Sequence, residues 1–416
     1  MVLLASSCVG GAVELPLDAG PTSPPQLHEG LVRLVDARRA DADGPPVAAS
    51  LPSELPGGVT AVDVGNIVIG ADGVSGELAI DVTPEVTGIT IVVWGQPDGA
   101  VILHQATAPD GSLVVDPRAA NPTRQEMVLS RGFVGQLRSP GRVLVARRMG
   151  AFVLPSTADI ALTVGEWRFS VGHHTVDVAA DGSAAIAPLV RPVRVIVFLR
   201  SAQTEMGVLD LSLHFTGASS LSAARARSSA TFQGALDGLR RAYDDVGVQI
   251  GDVSYEDLAD GAAFQTIVLD EPSCEGGDLD DLVAHHGAHN RLNLFFIDHF
   301  ECGLIGSFIL GFSSGIPGVP LLQGSPRSGV AIAGALLDDD PEAFWRTVAH
   351  ETGHFLGLFH AQENPALGDT FDNIADTPDS PAAQENLMFY DVTRGTLPAL
   401  TQGQGAVVRK NPWVRP

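Results

Sequence analysis

The chain has 416 residues and a formal net charge of −24, with 49 Asp and Glu against 25 Lys and Arg. That excess disfavours a nucleic-acid backbone or an anionic membrane as partner. With 45% hydrophobic and only 18% charged residues, the chain is too apolar for disorder and long enough for two or three domains, while 46 Gly and 28 Pro imply many turns.

The opening stretch MVLLASSC sets a short apolar run before Cys8. Small residues ahead of a cysteine form a crude lipoprotein pattern. The run is short for a signal peptide and lacks a basic start, so either the true start lies upstream and Cys8 carries a lipid anchor, or Cys8 is incidental. No run of about 18 apolar residues predicts a transmembrane segment. Residues 1–58 read as a leader or linker rich in Pro, Ala and Ser, with one helical segment expected around LVRLVDARRA. Over residues 59–205, short apolar runs such as GNIVIGADG, TGITIVVWGQPDG and VRVIVFLR are separated by turn signals. They predict an all-β, sandwich-like domain, or two small β modules meeting near residues 130–140.

Residues 206–416 alternate helical and strand patterns and are assigned to an α/β domain. LDLSLHF reads as a strand. In the following segment Phe232, Leu236, Leu239, Tyr243 and Val246 recur at three and four, which predicts a single helix with one buried face. Further strands are expected around VQIGDVSY, FQTIVLD, NLFFIDHF and SGVAIAGA. Cys274 and Cys302 fit either a disulfide in an oxidising compartment or two buried thiols.

The densest chemistry lies in HETGHFLGLFH, His350 to His360. Asp340 can cap a helix whose first position is Pro341. On that helix His350 and His354 project from one side, one turn apart, as two ligands of a shared zinc ion must. Glu351 is placed to act on a metal-bound water rather than to complete the ligand set. Gly357 permits the left-handed turn that swings the chain back and delivers His360 as a third ligand. The pairs His173/His174 and His285/His286 have no comparable frame and receive no ligand role.

HETGHFLGLFH matches HExxHxxGxxH, the long zinc signature of the metzincin metallopeptidases. Downstream, ENLMFY supplies Met388, which resembles the methionine of the metzincin turn beneath the zinc ligands, and Tyr390, which matches a tyrosine that in several of those families swings near zinc. GHFLGLFH, ADTPD, NLMFY and LTQGQ make residues 208–412 look most like the pappalysin-type family. The resemblance implies a metzincin-like fold, endopeptidase action on protein substrates, a Glu351 base and an extracellular or cell-surface location. Pappalysin-type proteins often carry cysteines after the third histidine; here none follows Cys302, so the loop after His360 must be held by other means. The resemblance also suggests calcium in that loop, where Glu363, Asp369, Asp372 and Asp376 offer oxygen ligands, although a merely solvated acidic loop fits equally. Two rival functions remain open: an adhesion or binding protein with an inactive metalloprotease-like domain, and a zinc hydrolase of non-peptide amides.

Overall fold

A computed structural model describes residues 31–40, 44–45, 49–116, 136–137, 141–178, 184–201, 206–270, 274–288, 290–303, 309–322, 324–363, 371–378, 382–394 and 398–416. Cys8, with its lipid-anchor reading, and Asp369 lie outside them.

The β-rich part consists mainly of two antiparallel sheets that share an apolar core. One runs Val32–Leu34, Leu78–Val82, Gly165–Val178, Ala100–Thr107, Leu113–Val115, with Ala184–Pro188 and Ala146–Arg147 paired alongside. The other runs Met149–Leu154, Val86–Trp94, Val193–Ser201, Val59–Ile67. Leu78, Ile80, Leu103 and Trp167 from the first meet Ile91, Phe152 and Val195 from the second. The helix expected around LVRLVDARRA is a strand instead. Val32 and Leu34 lean on this core, while Arg33 between them faces out to Asp81 and Glu166, at 3.1 and 2.6 Å. That alternation has period two, and pairing with Leu78–Ile80 completes it.

The second sheet is buried on both faces. Ile89, Ile91 and Val93 point into the β core, whereas Val92 and Trp94 join the core of the C-terminal part, as do Ala61, Met149, Ala151, Ile196 and Phe198. Strands buried on both sides lose their polar alternation, which accounts for the unbroken apolar runs TGITIVVW and VRVIVFL.

The C-terminal part is mixed α/β. Its five-stranded sheet runs Val248–Asp257, Gly207–Phe215, Leu292–Ile297, Gly329–Ala333, Gly311–Ser313. The first four are parallel and the short edge strand Gly311–Ser313 is antiparallel. The single helix expected after LDLSLHF is two, Ala223–Ser228 and Ala230–Asp244. Ser229 is extended between them, and its hydroxyl caps the second by accepting from Phe232 N. A helix the sequence patterns did not flag, Asp278–His286, carries acids in its first turn and histidines in its last, matching the helix dipole. Beside it Cys274 and Cys302 are joined in a disulfide that sits in a small cluster with Ile267, Leu279 and Phe300. Among the described residues no helix is long and apolar enough to cross a membrane.

Candidate metal centre

The helix Pro341–Leu356 begins as its sequence dictates: the Asp340 side chain accepts from Ala343 N at 3.0 Å, and Pro341 opens the first turn. Phe344, Val348, Thr352 and Phe355 are all buried, packing it beside Ala230–Asp244, and Tyr243 donates its hydroxyl to the Ala349 carbonyl at 2.9 Å. Its end is a Schellman turn: Gly357 N donates to His354 O and Leu358 N to Gly353 O, both at 2.9 Å, with Gly357 at φ 112°. A side chain would be strained at that φ; glycine is not.

The turn brings His360 back over the helix. The ring of His354 lies 4.5 Å from that of His350 and 4.6 Å from that of His360, centroid to centroid, and one coordinating nitrogen from each of the three falls within 4.8 Å of the other two. The outward nitrogens fix the tautomers. Nδ1 of His350 faces the Leu387 carbonyl at 2.8 Å, Nδ1 of His354 the Leu358 carbonyl at 2.7 Å, and Nδ1 of His360 the Glu363 carboxylate at 2.6 Å. Each Nδ1 therefore donates, and in a neutral ring the inward Nε2 is then the lone-pair nitrogen. Nε2 of His350 and Nε2 of His360 are 3.2 Å apart. Two lone pairs at that distance repel unless a cation lies between them, and tetrahedral zinc with bonds of about 2.0–2.1 Å sets its nitrogens roughly 3.3 Å apart. The donor set thus fits a zinc ion. Burial drives the same way: it lowers His350 to about 3, with His360 adding, and His354 well below its ordinary value, so both imidazoles stay neutral.

Glu351 is partly exposed beside the ligands, next to the edge strand. A Cβ on Gly311 would lie 2.6 Å from Cγ of Glu351, so only glycine lets that strand come so near. Burial raises the Glu351 carboxyl to about 7, against the lowering influence of His360 and of a backbone hydrogen bond from Ser313. A bound dication would favour its ionised form.

Met388 is fully buried against the helix that carries His350 and His354, with Sδ 2.5 Å from where a Cβ on Gly353 would stand. The same turn supplies the Leu387 carbonyl to His350, and its Met388 carbonyl accepts from Ala361 N at 2.8 Å. Tyr390 is half-buried with its ring on Phe389, centroids 4.6 Å apart. Asn386 exchanges two hydrogen bonds, of 3.0 and 3.1 Å, with the buried Gln404, which forms a capping box with Thr401. Asp376 accepts from Thr401 Oγ1 at 2.7 Å and Gly403 N at 2.9 Å, which joins ADTPD to LTQGQ.

The described acids of the loop each face a different partner. Glu363 serves His360, Asp376 caps a helix, and Asp372 accepts from Ile374 N at 3.1 Å, with burial raising its carboxyl to about 6. Among the described residues, His350, His354 and His360 form the metal-ligand cluster of His, Cys, Asp or Glu. Spacing could not reveal two supports of this site: the Leu387 carbonyl, and Glu363 with its own partner Arg142. The other histidine pairs are engaged elsewhere, His173 with Gln96 N and Arg191 O, and His286 with Asp260.

No family model matches the chain. Extracellular metalloproteases of Arthroderma benhamiae and Trichophyton verrucosum are each 33% identical to it over 96 residues, 23% of this chain and 34% of theirs. That of Arthroderma gypseum is 27% identical over 140 residues, 31% of this chain and 46% of its own. The chain thus spans between a third and a half of the length of these curated relatives. Among solved structures, metalloproteinase-II of Bacteroides fragilis aligns over 57% of this chain and 65% of its own at 11% identity, with a TM-score of 0.32. The sequence matches establish weak homology to fungal extracellular metalloproteases, in keeping with a zinc-metallopeptidase superfamily.

Proposed function

We propose that this chain is a secreted or surface zinc metalloendopeptidase of the metzincin type, most like the pappalysin-type family. Its division would be a leader or linker (1–58) whose strand Val32–Leu34 joins the first β sheet, a β-sandwich-like domain (59–205) and a metallopeptidase domain (206–416). The observation that carries the reading is the convergence of three inward Nε2 lone pairs beside the Glu351 carboxylate. When bound, zinc supplies a Lewis acid that acidifies water and polarises the scissile carbonyl. Glu351 accepts the attacking water's proton and passes it to the departing amine nitrogen. The Tyr390 hydroxyl donates to the carbonyl oxygen as negative charge develops there. Met388 floors the site with an apolar thioether, and Gly357 lets His360 return. An extended peptide suits the site, because the edge strand Gly311–Ser313 runs beside Glu351 and peptides add to open sheet edges. The names of the fungal relatives and the disulfide agree with an oxidising, extracellular setting.

The test is digestion of a peptide library by the purified full chain. Cleavage that stops on chelation and returns with zinc supports the reading. A zinc-loaded protein that cleaves nothing favours a binding or adhesion role.

A further inference from the structure

Glu363, which faces Nδ1 of the third histidine, does not stand alone. Arg142, from the β-rich part and 221 positions earlier, donates through Nη2 to Glu363 Oε1 at 3.0 Å. Through Nη1 it also donates to the Phe371 carbonyl at 3.1 Å, and its guanidinium lies 4.4 Å from the centre of the Phe359 ring. Its side chain is 2% exposed and that of Glu363 16%. One guanidinium thus grips the residue before His360, the carboxylate behind His360 and the far side of the same loop. Neighbouring groups continue the grip: Thr157 Oγ1 donates to Asn373 O at 2.9 Å, and Asp159 Oδ2 accepts from Ala375 N at 2.8 Å.

A buried carboxylate is held in place by the donors it accepts from, and Arg142 and His360 supply one on each of its oxygens. A carboxylate in that position orients the His360 ring and strengthens the lone pair on the opposite nitrogen. We propose that Arg142 is a positioning residue for the metal centre, acting through Glu363, so that the β-rich part is a working component of the site and clamps the loop after His360, which has no cysteine of its own. The proposal rests on the metal-site reading above.

The test uses the full-length chain and Zn²⁺, by competition with a chelating dye, with Co²⁺ absorption reporting ligand geometry. Variants are Arg142→Ala, Arg142→Lys, Glu363→Gln and the Arg142→Ala/Glu363→Gln double. Arg142→Ala and Glu363→Gln should each weaken zinc binding about 10–100-fold and alter the Co²⁺ spectrum. Lys, which keeps the charge but not the fork, should recover part of the loss. The double variant should bind about as weakly as the worse single one, because both lie on one path. Zinc affinity of Arg142→Ala within twofold of wild type overturns the proposal, and so do losses that simply multiply in the double variant. If Arg142→Ala does not fold, Arg142→Lys and Glu363→Gln decide: both at wild-type affinity and spectrum sinks it. A wild-type chain that binds no zinc defeats the metal-site reading itself, a distinct outcome.

Discussion

Replacing Glu351 with Gln keeps the side chain's size and leaves the nitrogens of His350, His354 and His360 in place. Zinc content should hold while peptide cleavage falls by roughly 10²–10⁴-fold. Tyr390→Phe removes one donor and should cost about 10–10³-fold. Peptidase assays paired with elemental analysis decide; Glu351→Gln cleaving at the wild-type rate would remove it as proton acceptor. A second carboxyl gives a pH prediction. Glu275 is buried, and burial lifts it to about 7, with Asp280 adding and Arg327 and Arg147 opposing. A carboxyl raised in the folded state holds its proton more tightly there, so its contribution to stability is whole below about pH 4.5 and lost as pH rises through about 7. Relative to Glu275→Gln, wild type should lose about 2–3 kcal/mol between pH 4.5 and 8, read by denaturant unfolding of both proteins. A difference that stays flat with pH would contradict the assignment. The clustering of the three histidines could be read in advance because they lie within eleven residues, on one helix and just past its cap. Arg142 could not, since only the folded chain brings it to Glu363. The partners of the loop's acids were hidden for a related reason: sequence shows that Glu363, Asp372 and Asp376 are near one another, but not that each faces a different partner.

At the level of elements, Gly353 sets two effects against each other. In mid-helix, Ala is ordinarily better than Gly by roughly 0.5–1 kcal/mol. Here the added methyl would sit 2.5 Å from Met388 Sδ and 3.4 Å from the Tyr243 hydroxyl. Forcing a methyl into a filled core costs about 1–3 kcal/mol, so Gly353→Ala should destabilise on balance and push the methionine turn, with its Leu387 carbonyl, away from His350. Thermal unfolding with zinc titration checks it; a raised melting temperature would show that the turn yields freely. Elements with a plain period were legible, the helix Pro341–Leu356 and the parallel strands among them. Those missed were governed by something outside their own pattern. Val32–Leu34 is a strand because Leu78–Val82 offers an edge, and Ser229 divides the helical segment just ahead of Phe232, where the apolar period starts.

Across the whole molecule, the division at about residue 205 remains a proposal, and the packing sharpens its test. An isolated fragment of residues 59–205 would uncover Ala61, Val92, Trp94, Ala151, Ile196 and Phe198, all of which belong to the C-terminal core. It would also lose the Arg200 bond to Val414 O and the Lys410 bonds to Pro155 O and Thr157 O, at 2.8, 3.1 and 3.0 Å. Exposed apolar faces of this kind associate. The fragment should keep β-type circular dichroism but sediment as oligomers, whereas the full chain should unfold in one transition. A monomeric, cooperatively folding fragment would show that the shared core is dispensable to the sheets.

That shared sheet also sets an order of events. Ribosomes deliver the β-rich strands before the helix Pro341–Leu356, so one wall of the later core can form before that helix emerges. On the metallopeptidase reading, hydrolytic power would then arrive late in the chain's own assembly, once Glu363 and Phe371 have emerged to meet Arg142, so a half-made molecule carries no finished blade into the cell that makes it.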